Sequence, residues 1–217
     1  MTLSCMKTLS GIGVEKMNNF EKRMYLDYLF KLAPNLNLKG YEFDEVLDTF
    51  IFHFNVNKNN FKFDEDGVVL TATKAQQADL IRSLKNAVTK EKAKIPVRKS
   101  KFEEKLMLIK DIYKLNDIEY QAFTFLILQE VNHLFSDLKD ALNGGFDKFA
   151  RIYLRLRCGE RERLLNNLFL SHLITDKSYN PSVNEDFVKV FDDDSCNTPK
   201  KIVDKLFGTP EKSTLTF

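Results

Sequence analysis

The chain has no tryptophan and few cysteines. Cys5, Cys158 and Cys196 are the three in its 217 residues. They lie far apart, form no CxxC pair and are odd in number. Neither a disulfide scaffold nor a zinc site is expected, and a reducing, cytoplasmic compartment is the simplest reading. No stretch approaches ~18 consecutive apolar residues, so no membrane span is expected. Residues 1–16, MTLSCMKTLSGIGVEK, lack the apolar core of a signal peptide. Charge of one sign is also missing. Lys+Arg 33 against Asp+Glu 31 leaves a net +2. That balance excludes a polycation that coats nucleic acid through bulk charge, though it allows a local basic patch.

The signatures of several chemistries are missing too. There is no GxxxxGK followed by Ser or Thr, no GxGxxG after a strand, no HExxH and no GxSxG. GIGVEK near the start lacks the loop length of a phosphate cradle. NFKFDEDGVVLT carries Asp64, Asp66 and Gly67, but its first ligand position would be Lys62 and its twelfth Thr73, which rejects a calcium loop. His53, His133 and His172 fall in separate predicted helices and read as packed or half-exposed residues. The run Asp192-Asp193-Asp194 reads as a solvated turn. Cys158 beside Arg157 and Arg161 has no base nearby and reads as a small half-buried residue. No catalytic residue, cofactor or metal ligand is therefore assigned, and the chain is expected not to be an enzyme.

Apolar residues make up 43% and charged residues 29%, enough to build a core, and Phe 19 makes that core phenylalanine-rich. At roughly 150 residues per domain the length suits one large domain or two small ones. The period is helical nearly throughout. A loose leader, 1–14, precedes a helix from Val14 to Ala33, stopped by Pro34. A second runs over Tyr41–Phe54. The alternation at Phe61 and Phe63, the Asp66-Gly67 turn and Val68, Val69 and Leu70 then predict a short β-hairpin near 61–71. Thr73 with Gln76 predicts a capping box, opening a helix to about Ala93.

Residues 85–101 carry seven positive charges and one negative around Pro96. They read as a solvated helix end and basic linker, because no aromatics interleave for base stacking. The domain reading is then 1–95 a helical module with the hairpin, 96–101 the linker, and 102–217 a second helical module.

In that second module a helix is expected over Phe102–Leu115. Asn116 with Glu119 caps another, whose body EYQAFTFLILQEV is apolar on nearly every face. Leu126 and Leu128 are both expected in the core. A third helix, Leu134–Leu142, ends at Asn143-Gly144-Gly145. Phe146–Leu156 and Glu160–Leu173 form a helix pair joined at a tight Cys158-Gly159 turn. A wing or short strand is expected over 174–191, around Phe187–Phe191. A last helix covers Lys200–Phe207, opened by Thr198-Pro199 and ended by Gly208.

Residues 146–176, FDKFARIYLRLRCGERERLLNNLFLSHLITD, are the informative stretch. Five of the eight arginines, Arg151, Arg155, Arg157, Arg161 and Arg163, fall within thirteen residues, interleaved with Glu160 and Glu162. Arginine forms bidentate contacts with carboxylate and phosphate. The competing reading is local Glu–Arg pairing on a solvated face. The two glutamates would face phosphate if this helix entered a DNA groove, so the cluster points to a protein partner before nucleic acid.

The helix pair and the polar segment after it resemble a winged helix-turn-helix. With KLMLIKDIYKLNDIEYQAFTFLILQEV, ALNGG, His172-Leu173-Ile174 and KIVDKLFGTPEKSTLTF, residues 102–217 resemble the winged-helix region N-terminal to the ATPase module in some bacterial AAA-family ATPases. The resemblance implies a non-catalytic regulatory module that docks a protein partner. The alternative it leaves open is a winged-helix DNA-binding transcriptional regulator.

Overall fold

The computed structural model describes residues 17–65 and 67–208. Ten α-helices account for most of them, and no strand occurs among them. The mainly helical class follows from the sequence. The expected leader, the expected start at Val14 and the tail after Gly208 lie outside the described residues.

Local signals set most helix ends. α1, Asn19–Leu32, opens on a capping box between Asn18 and Glu21. α2 spans Tyr41–His53. α3, Lys74–Lys94, opens on the Thr73–Gln76 box. α4, Lys101–Tyr113, is capped by Ser100 and ends at Lys114 in the left-handed region. α5, Asp117–Val131, opens on the Asn116–Glu119 box. α6 spans His133–Ala141, α7 Gly145–Ile152, α8 Cys158–Leu170, α9 Glu185–Asp192 and α10 Pro199–Phe207.

The expected hairpin near 61–71 is not formed as strands. One antiparallel bridge, Phe63 to Val69, closes a turn. Its hydrogen bonds run from Asp64 N–H to Val68 O (2.8 Å) and from Leu70 N–H to Lys62 O (2.9 Å). A 3-10 turn at Lys58–Asn60 and the cap at Thr73 take the flanking residues, so the arms have no length for a ladder. The alternation of Phe61 and Phe63 instead buries Phe61 in the core and leaves Phe63 beneath the Lys58 ammonium.

The expected wing over 174–191 is likewise one bridge, Ile174 to Val183, succeeded by α9 rather than a strand. Asn184 caps α9 by accepting from Asp186 N–H (3.0 Å). Phe187, Val190 and Phe191 recur at three and four and turn inward. Turn residues on both sides hid this short helical period.

Buried residues on both sides of 96–101 belong to one hydrophobic cluster. α2 packs along α6, and Asn37 N–H bonds Ala141 O at 2.7 Å. At the centre, Phe125 of α5 stacks on Phe149 of α7 with centroids 3.6 Å apart. Tyr28 of α1 meets Phe125, Phe135, Phe149 and Tyr153 edge-on. The edge-on contacts of Tyr28 align ring quadrupoles and add to area burial, while the Phe125–Phe149 pair contributes through buried area. Leu126 and Leu128 are both buried.

The end of α9 is fastened by Lys105 of α4. Its ammonium is buried and donates to Val190 O, Phe191 O and Asp193 O at 2.8–3.0 Å. Three donors meet three carbonyls at the end of α9, where the helix leaves them orphaned. Burial pulls the Lys105 pKa below the ordinary lysine range.

Candidate functional site

Two glycines mark the start of α7, Gly144 as its cap position and Gly145 as its first residue. Gly145 has φ +46, and a Cβ there would collide with Asn180 Oδ1. That space is filled because Asn180 caps α7 from a distant loop, accepting from Phe146 N–H at 3.2 Å. Phe146, Phe149 and Ala150 anchor α7 in the core.

The connection to α8 is not the tight glycine turn expected at Cys158-Gly159. Helix α7 ends at Ile152, and the chain turns over 153–157, with Arg155 in the left-handed region at φ 60°. Gly159 lies inside the first turn of α8. Glu160 starts that helix by accepting from Arg157 N–H at 2.8 Å. Arginine offers no side-chain acceptor at a helix start, so the sequence did not mark this one.

The structure divides the predicted site residues into two groups. Arg161 and Glu160 are used internally. Arg161 pairs with Asp147 of α7 and donates to Ser178 O at 2.9 Å, so it ties α7, α8 and the loop 175–183 together. Glu160 is the cap. Arg151, Arg155, Arg157, Arg163 and Glu162 are exposed. Leu164, Leu165 and Leu168 turn inward. The opposite face of α8 carries Glu162, Arg163, Asn166, Phe169 and Leu170 at three- and four-residue spacing. Leu170 is 76% exposed and Phe169 38%. Lys177 donates to Asn166 Oδ1 (3.0 Å) and lies over the Phe169 ring. Asn167 donates to Glu119 Oε1 at 2.8 Å and seats α8 on α5.

The loop 175–183 is folded down against this pair. Asp176 accepts from Ser178 N–H and Ser182 N–H. Burial would raise its pKa, but the serine hydrogen bonds outweigh it and hold the carboxyl below its ordinary range. With Ser178 and Asn180 also engaged, the loop does not stand free as a wing.

A second cluster was not visible in the sequence. Asp27 of α1 accepts from Lys92 of α3 (2.7 Å) and from the Tyr153 hydroxyl (2.6 Å), and pairs with Lys31 (3.1 Å). Burial raises the Asp27 pKa, yet these three donors overcome it and keep the carboxyl below the usual range. Its members come from positions 27, 31, 92 and 153, and no sequence period links them.

Among the described residues, no group of three or more His, Cys, Asp or Glu is placed to hold a metal ion. No helix among them is long and apolar enough to cross a membrane. Asp192, Asp193 and Asp194 flank an open depression, where Asp193 is held by Ser195 N–H and Lys205. No protein-family model, curated protein or solved structure matches the chain.

Proposed function

We propose that this protein is a non-catalytic docking module that engages a protein partner through the outward face of α8 and the arginines around it. The resemblance of 102–217 extends the proposal to a regulatory region N-terminal to an AAA-type ATPase module.

The observation that carries it is the mixed chemistry of one helix face. Leu170 and Phe169 stand in solvent beside Arg163 and Glu162. Exposed apolar and aromatic side chains next to arginine are the composition of interface anchors. A helix built to read DNA would offer donors to base edges along that face. Here Arg163 and Asn166 are such donors, but Glu162, Phe169 and Leu170 share the face with them, Lys177 already engages Asn166, and the loop that would serve as the wing is bound down by Arg161 and Asn180.

A photo-crosslinking residue at Leu170 tests the reading in cells. One discrete protein adduct, lost when Arg163→Glu is added, is the expected result. Adducts to nucleic acid, or a protein smear indifferent to Arg163→Glu, would overturn it.

A further inference from the structure

Helix α2 carries a second exposed face. It buries Phe43, Val46, Leu47 and Phe50. Its exposed residues are Tyr41, Glu45, Asp48 and Phe52. Their spacing of four, three and four places them on one stripe, opposite the buried one. At ~1.5 Å per residue the stripe is about 16 Å long. Tyr41 is 68% exposed and Phe52 66%, and neither belongs to the hydrophobic core. The Phe52 ring meets His53 edge-on, with centroids 5.2 Å apart.

What the stripe lacks is a cation. Glu45 and Asp48 enter no ion pair among the described residues. Glu45 is faced by acids instead. Partial desolvation, then the charges of Asp137, Glu42 and Asp140, push its carboxyl above the ordinary range. Partial desolvation, then Asp48 and Asp64, do the same to Asp44 on the flank. The rings differ from others on the surface in the same way. Phe30, Phe63, Tyr120, Tyr153 and Phe169 each have a lysine of this chain over the ring, at 4.2–5.2 Å. Tyr41 and Phe52 have none among the described residues.

We propose that this stripe seats an arginine-bearing helix of a protein partner. Its guanidinium groups pair with Glu45 and Asp48 in the middle and stack on Tyr41 and Phe52 at the two ends. The four-three-four spacing is that of a seam on which a second helix packs. Charge complementarity sets the sign of the occupant and excludes nucleic acid and anionic lipid. Arginine suits both kinds of contact, because its planar, weakly hydrated group grips carboxylates in pairs and lies flat on rings. The inference goes beyond docking through α8, which uses Leu170 and Arg163.

The peptide ARAAARAARAAARA repeats arginine at the same four-three-four spacing. Labelled with fluorescein and titrated with the full chain at physiological salt, it tests the proposal by polarisation. The expected result is saturable binding that weakens at least about tenfold in Glu45→Lys/Asp48→Lys and at least about threefold in Tyr41→Ala/Phe52→Ala. The same change of charge elsewhere, Asp192→Lys/Asp194→Lys, alters it less than about twofold. Matching circular dichroism melts establish that the variants are folded. Three binding results would overturn the proposal: no saturable binding, equal loss in the Asp192/Asp194 variant, or no loss when the two rings are removed. So would a dimer of the chain alone, seen in sedimentation and dissolved by Glu45→Lys/Asp48→Lys, because the face would then belong to a second copy. None of these bears on partner capture through Leu170, so the two readings fail independently.

Discussion

α5 and α8 are of similar length, 15 and 13 residues, and stand in opposite relation to water. From Ala122 to Leu128 every residue of α5 is buried. Helix α8 buries Leu164, Leu165 and Leu168 and gives its other face to solvent. The structural role of α5 is therefore set by the apolar run Ala122–Leu128, which is buried on every face. The role of α8 depends on which charged groups are already used by the fold. Arg161 and Arg163 are two positions apart in sequence, yet one is an internal tie and the other a surface cation with no acidic partner among the described residues.

The largest effect expected from this contrast is at Leu126. Leu126→Ala removes a core side chain and leaves a cavity, at a cost of about 2–5 kcal/mol in chemical denaturation. A loss near zero would mean that α5 is not central. Arg161→Met comes next. It removes the partner of the Asp147 carboxylate and of Ser178 O, both partly open to water, and should cost about 0.5–1.5 kcal/mol. Loop 175–183 should then lose hydrogen-exchange protection while α5 keeps its own. Arg163→Met, only two residues away, should change stability by less than about 0.5 kcal/mol. Equal losses at 161 and 163 would erase the distinction between tie and surface cation.

The same contrast explains what the sequence could show. Thr73, Asn116 and Thr198 announced their helices because a cap acts within three residues of itself, whereas the Asn18–Glu21 box that opens α1 went unread and the helix was expected from Val14. The apolar run of α5 announced its burial. Long-range contacts left no such mark. Asn180 caps α7 across 34 positions, and Arg155 rather than a glycine makes the turn into α8. The strand signals at 61–71 and around 187 came from β-formers whose flanking segments were already committed to turns and helices. In the candidate site the arginine cluster was legible, but its division into Arg161 and Glu160 on one side and the exposed residues on the other required three dimensions.

The Asp27 cluster extends the comparison to pH. Its folded carboxyl lies below the ordinary range, so its stabilisation is present above the unfolded pKa of about 3.9. It is lost as pH falls through the lower folded value. Asp27→Asn should cost about 1–2 kcal/mol near pH 7. The gap from the parent should narrow in urea midpoints measured below pH 4. A gap constant across that window would contradict the assigned ion pairs. The smallest effect is a gain. Arg155→Gly relieves a left-handed backbone and should stabilise by about 0.5–1 kcal/mol, read as a raised midpoint.

The central claim is that the exposed face of α8 is made for protein and not for a DNA groove. Fluorescence polarisation with random duplexes at physiological salt tests it most directly. The account predicts binding no tighter than a Kd of about 10⁻⁴ M, without sequence preference and unchanged by Arg163→Glu. Sub-micromolar, sequence-dependent binding with a salt slope that flattens by about one unit in Arg163→Ala would contradict it.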